Sequence, residues 1–124
     1  MIVAIGSDIV EHEIAKNLKW ETSAQIQERI FSAKELEHYN FHKKIKFLCG
    51  RFAAKEAVLK CLSSGMKDGI SLKDIEILQH DNGKPYILLA SDLNKLSKDF
   101  GIKKWHISIT HSKSYSQAFV IAEG

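Results

Sequence analysis

The stretch GRFAAKEAVLK at 50–60 decides how this chain is read. It lies inside a longer helical pattern that the spacing predicts over 42–64. At ~100° per residue, Ile45, Leu48, Cys49, Phe52 and Leu59 fall in one apolar arc. Glu56 lands in the middle of that arc, and Lys60, four residues on, lies at its edge within reach of Glu56. A carboxylate on a core-facing stripe is costly unless a partner or a metal ion compensates it. The reading therefore turns on what holds Glu56.

Outward toward the N-terminus, residues 1–10 are rich in Ile and Val and read as a buried strand, interrupted near its end by Asp8. Residues 11–18 carry weak helical spacing through Ile14 and Leu18, and Trp20 follows. Thr22 with Gln25, then Ser32 with Glu35, match the capping-box pattern. The helices they open are expected to bury Ile26, Ile30 and Phe31, then Leu36, Tyr39 and Phe41. Gly65 is expected to close the long helix as a left-handed cap.

Toward the C-terminus the texture changes. Residues 74–79 alternate, with Ile75 and Ile77 on one side, and Asn82-Gly83 signals a hairpin to a partner strand at 84–89. Pro85 sits near that strand's beginning, where a missing amide is tolerated. A short helix over 91–100 ends at Gly101. Residues 105–111 form a strand with Trp105, Ile107 and Ile109 on one face and His106, Ser108 and Thr110 on the other, and 117–123 a last strand. Helices gather in the first half and antiparallel strands in the second, behind one leading strand. The expectation is a single α+β domain over 1–124.

Composition fits a globular chain: 44% hydrophobic residues and one proline. A net charge of +3 is too small to imply nucleic acid, but suits an acidic protein or a phosphorylated ligand. Cys49 and Cys61 share the long helix, roughly 18 Å apart, beyond the ~7 Å limit for a disulfide. Free thiols, no signal-peptide start and no run of roughly 20 apolar residues lead to the expectation of a cytoplasmic protein.

Two groups of residues could carry chemistry. Asp8 and Glu56 supply oxygen ligands from separate elements, the minimum for magnesium, which takes one or two carboxylates with waters and substrate phosphates. Equally, Asp8 could cap the following helix and Glu56 pair with Lys60. His106, Ser108 and Thr110, with His111 just beyond, could bind phosphate oxygens or simply be solvated. Arg51 and Lys55 project from the other side of the long helix, joined upstream by Lys43, Lys44 and Lys46. Such a face serves solubility or receives phosphate or an acidic partner.

Three blocks together resemble one family. IGSDIVE at 5–11, GRFAAKEAVLK at 50–60, and NGKPYI at 82–87 followed by HISITHS at 106–112 are similar to holo-[acyl-carrier-protein] synthase. This is the small bacterial class of 4′-phosphopantetheinyl transferase, and the resemblance spans essentially the whole chain. It implies transfer of 4′-phosphopantetheine from coenzyme A to a serine of apo-acyl carrier protein, in support of fatty acid biosynthesis. It further implies magnesium held by Asp8 and Glu56, and Lys60 beside the pyrophosphate as the third catalytic residue. Lys43, Lys44, Arg51 and Lys55 would lie toward the coenzyme A phosphates. His106, Ser108, Thr110 and His111 would hold the nucleotide end, with Gly83 and Pro85 in the loop against adenine. The implied assembly is a homotrimer with active sites between subunits. One departure stands out: the family often has an arginine after its first block to receive the carrier protein, whereas Glu11 to Lys16 here contains none. Lys16, Lys19 and Arg29 are the substitutes at hand.

Overall fold

The computed structural model describes residues 1–62 and 70–124, so the expected cap at Gly65 and the expected helical positions 63–64 lie outside the described residues. In chain order the elements are β1 (Ile2–Glu11), α1 (His12–Asn17), α2 (Ala24–Ile30), α3 (Ala33–His42) and α4 (Ile45–Cys61). A 3-10 turn (Leu72–Asp74), β2 (Ile75–Gln79), β3 (Pro85–Leu89), α5 (Ser91–Asp99), β4 (Lys104–His111) and β5 (Tyr115–Glu123) follow. This is the expected α+β arrangement. The leading strand closes on the last: one antiparallel sheet runs β1-β5-β4, and the hairpin β2-β3 forms a second.

Register sets the two faces of the larger sheet. Gly6, Val120 and Ile107 make one row, Asp8, Ala118 and Ile109 the next, and Val10, Ser116 and His111 the third. These rows face α4. The alternate rows carry Ile5, Ile9, Phe119, His106, Ser108 and Thr110 on the outside. β1 is therefore not buried on both faces: Ile5 is 60% exposed, Ile9 58% and Phe119 50%.

α4 is enclosed on nearly every side, which its sequence does not announce. Its deepest residues are Leu48, Cys49, Ala53, Ala54, Ala57 and Val58, all without exposure. Small side chains let backbones approach closely, and the approach is tightest at Gly6, where a Cβ would strike the Ala57 carbonyl. The stripe of alanines, not the arc through Leu59, is the core-facing surface. Glu56 is only partly buried, at the rim beside β1.

Lys55 corrects the expected basic face. Its side chain is wholly buried, and the ammonium donates to Glu35 Oε1 at 2.6 Å, the Ile75 carbonyl at 2.6 Å and the Leu72 carbonyl at 2.8 Å. Three donors meet three acceptors, so the charge is fully satisfied. Glu35 also accepts from Ser32 N, completing the expected capping box of α3, and from Ile77 N. One buried ion pair thus ties α3, α4 and β2 together.

Other expectations shift at the edges. Ser23, not Thr22, caps α2 by accepting from Ile26 N. Phe41 is 84% exposed. The long helix begins only at Ile45, because Lys43 takes a left-handed φ of 49° and ends α3. Lys43 and Lys44 therefore occupy a turn instead of a helix face.

Candidate active site

Two clusters hang on α4. The first sits where β1 crosses it. Asp8 and Glu56 line one groove of about 450 Å³ with Val10, Ile14, Trp20 and Phe52, so residues 48 apart in sequence share a site. Asp8 caps no helix, and Glu11 stands at the N-cap of α1 instead. Burial first, then the like charge of Asp8, push the Glu56 carboxyl above the usual carboxylate range, and Lys60 pulls it back only in part. Lys60 does not pair with Glu56 as the helical spacing suggested. Its ammonium donates to the Ser7 carbonyl at 2.7 Å and lies 3.4 Å from Asp8 Oδ1, half exposed.

Two carboxylates share one cation, Lys60 paired with Asp8, which leaves one negative charge uncompensated. Hard oxygen donors of this kind suit magnesium, which needs only one or two of them when waters and phosphate oxygens complete its shell. Among the described residues no group of three or more His, Cys, Asp or Glu gathers into a full protein cage. The donor set fits a cation shared with a substrate.

The second cluster lies roughly 140° round α4, given ~100° per residue. Here His42, Lys44, Lys46, Phe47, Arg51, Gln79 and His111 line a polar pocket that shares no residue with the acidic groove. Arg51 is 3% exposed, its guanidinium 3.8 Å from the Phe47 ring centroid, and its Nε and Nη2 have no hydrogen-bond partner. Burial lowers its pKa to about 10, leaving it charged at neutral pH. Orphaned buried donors are costly, and an anion is what two guanidinium N–H groups require. Arg51 is therefore turned inward, yet toward a pocket, whereas Lys55 is consumed by Glu35.

The polar strand set divides. His111 shares the inward face with Ile107 and Ile109, and joins Arg51. His106, Ser108 and Thr110 lie on the outer face, where His106 bonds Glu123 at 2.8 Å. Gly83, with φ 87°, makes the expected turn between β2 and β3. Beside it, His80 stacks on Tyr86 at 4.4 Å, and a cleft runs from Pro85 across to Lys104 and His106. Lys46, expected in the basic patch, lines this pocket, whereas sequence reasoning missed His42, His12 and Ser116, because only the register of β5 brings the last two to His111. The cysteines take no part: burial pushes Cys49 up to about 12 and Cys61 up to about 11.

Comparison with known proteins identifies the family. Residues 4–120 match the family model described as the 4′-phosphopantetheinyl transferase superfamily. The holo-[acyl-carrier-protein] synthase of Hamiltonella defensa is 33% identical over 124 residues, covering 99% of this chain and 98% of that one. The crystal structure of the Neisseria meningitidis synthase superposes with a TM-score of 0.89 at 31% identity, covering all of both chains. The Bacillus anthracis synthase, crystallised in complex with CoA (3′,5′-ADP), gives 0.79 at 32% identity over 98% of this chain and 96% of that one. From its fold, its full-length coverage and its three sequence blocks, this chain belongs to the 4′-phosphopantetheinyl transferase superfamily, as a member of the holo-[acyl-carrier-protein] synthase type.

Proposed function

We propose that this protein transfers 4′-phosphopantetheine from coenzyme A to a serine of apo-acyl carrier protein, releasing adenosine 3′,5′-bisphosphate. The single observation that carries the reading is α4 itself, which with β1 frames a carboxylate pair only half compensated by Lys60 on one flank and, on another, a buried arginine with two unpartnered N–H groups. A substrate with a diphosphate and a further phosphate answers both.

Asp8 and Glu56 would hold magnesium, which supplies neutralisation of the diphosphate charge when bound. Lys60, steadied by the Ser7 carbonyl, adds a fixed positive charge beside the same oxygens. Displacement at phosphorus needs positioning and charge stabilisation more than covalent help from the protein. Arg51, His111 and Lys44 anchor the nucleotide end, with Lys43 adjacent. The cleft at Gly83 and Pro85, floored by the His80–Tyr86 stack, suits the adenine ring. His106, Ser108 and Thr110 would border the same ligand from a neighbouring copy.

The two half-sites on opposite flanks of α4 favour an assembly in which adjacent copies complete each other. The exposed Ile5, Ile9 and Phe119 supply an apolar face for it, and we assign the assembly as a homotrimer. The carrier protein would dock along α1, where Lys16 and Lys19 flank the half-exposed Ile14 and Leu18. Free buried thiols suit the reducing cytoplasm as its place of action. Among the described residues no helix is long and apolar enough to cross a membrane.

Mass spectrometry of apo-carrier protein incubated with coenzyme A and magnesium tests the reading. A gain of about 340 Da on one serine, the phosphopantetheine arm, is expected. Release of phosphopantetheine from coenzyme A without any carrier protein would make the protein a hydrolase instead. Loss of transfer in a folded Asp8→Ala variant supports the metal assignment, and near wild-type transfer at saturating magnesium contradicts it.

A further inference from the structure

His111 does not enter its pocket alone. Its Nδ1 lies 2.7 Å from the Ser116 hydroxyl, and the Nε2 of His12 lies 2.8 Å from the same oxygen. The hydroxyl has a third partner within reach in the Lys46 carbonyl, an acceptor at the longer distance of 3.4 Å. Ser116 is wholly buried and His12 is 6% exposed, so no water competes easily for these bonds. The three residues come from β4, β5 and the first turn of α1, and the inner row of the sheet places Ser116 directly beside His111. The Cε1–Nε2 edge of the His111 ring meets Gly50, with Cε1 2.7 Å from where a Cβ would stand. Glycine there makes room for the ring next to Arg51.

A serine hydroxyl has one proton to give. Given to His12 or to the Lys46 carbonyl, it would force His111 to donate from Nδ1 and show a bare Nε2 lone pair to the pocket. Nothing lining that pocket is acidic: Arg51, Lys44, Lys46 and His42 face it from α4, the turn before it and the end of α3. A lone pair there would repel the very anion that the unpartnered Arg51 donors require. Given to His111 Nδ1, the same proton fixes the ring as the Nε2–H tautomer and turns a donor into the pocket. His12 then supplies its own Nε2–H to the hydroxyl oxygen. Burial, together with Lys46, Arg51 and His12, pushes His111 below the usual imidazole range. That favours the neutral ring in the protein without ligand, where its tautomer decides whether it donates or accepts.

We infer that His12 and Ser116 are positioning residues that relay hydrogen-bond direction to His111, so that its imidazole donates Nε2–H to a phosphate of the bound substrate. The inference rests on the coenzyme A reading of the Arg51 pocket, and deepens it. The relay belongs to the protein without ligand, so it can be read separately from catalysis.

Nitrogen-15 NMR of the imidazoles reads it directly. In the wild type, His111 is expected as a single Nε2–H tautomer, and in Ser116→Ala as a mixture of both tautomers. Transfer kinetics should then show a several-fold rise in KM for coenzyme A with a smaller change in kcat. His12→Gln, whose amide can still donate to the hydroxyl, should keep the wild-type KM, and His12→Leu should reproduce Ser116→Ala. A wild-type His111 found as the Nδ1–H tautomer overturns the inference, as does an unchanged KM in folded Ser116→Ala. Should the wild type show the expected tautomer but neither bind coenzyme A nor transfer its arm, the substrate reading fails and the inferred role of the relay with it. The tautomer signal tells that failure from a failure of the relay itself.

Discussion

Replacing Gly6 with alanine tests the geometry on which the acidic half-site depends. The added Cβ would fall inside the envelope of the Ala57 carbonyl oxygen, 2.9 Å from the carbonyl carbon and 3.2 Å from Cys61 Sγ. Carbon atoms sit comfortably at ~3.5–4.0 Å, so strand and helix must part by roughly 1 Å. Both obstacles nearest the new methyl are backbone, and no side-chain rotation relieves them. Asp8 lies two residues along β1 from Gly6, and Glu56 immediately precedes Ala57 on α4. The same displacement is thus inserted between the two carboxylates. Overpacking of this kind costs about 1–3 kcal/mol of stability, and a 1 Å misplacement of reacting groups can cost ~10²-fold in rate. The assay is transfer rate against magnesium concentration, run well below the unfolding midpoint found by circular dichroism. The expected result is a folded variant with kcat lowered by about two orders of magnitude and a higher magnesium requirement. Wild-type turnover with an unchanged magnesium response would refute the argument that this close approach sets the site.

Three further perturbations probe the remaining contacts. In Glu56→Gln, transfer should be lost while stability in metal-free buffer improves. Glu56 titrates higher in the folded chain than its ordinary value of 4.5, so folding stability falls as pH rises through that window. The variant's advantage in unfolding midpoint should therefore appear above the window and vanish below it, and an advantage seen only in acid would contradict the assignment. Lys55→Met leaves Glu35 buried without its cation and should cost about 3–5 kcal/mol in urea denaturation, part of it recovered by adding Glu35→Gln. Lys60→Ala should lower kcat by on the order of 10²-fold with KM for coenzyme A nearly unchanged. The opposite split would make Lys60 a binding residue only.

Much of the architecture was legible because local signals agreed with tertiary packing. The Ser32–Glu35 box, the Asn82-Gly83 turn and the alternation along β4 each follow from chemistry within a few residues, and each is found where expected. Asp8 and Glu56 were legible as misplaced carboxylates, and they share a groove. What misled was the assumption that α4 has one buried and one solvated side. A helix walled by a sheet, by α1 and by β2 hides its cations too, so the apparent basic face at Arg51 and Lys55 is interior. Phe41 fails for the converse reason: it stands on the solvated side of α3, about 160° round from the buried Tyr39 at ~100° per residue. The His12–Ser116–His111 relay was invisible, since residues 104 apart meet only through strand register.

The three-way grip on Lys55 has a consequence beyond anchoring. A cylinder faced largely with alanine offers little to stop it spinning about its own axis. Side chains reach about 6 Å from the axis of a helix, so a turn of only 20° would sweep their tips by about 2 Å. Such a slip would carry Glu56 away from Asp8 and Arg51 out of its pocket together. Lys55 acts as a key in a shaft: it sets one angle, and both clusters on α4 are indexed from that angle.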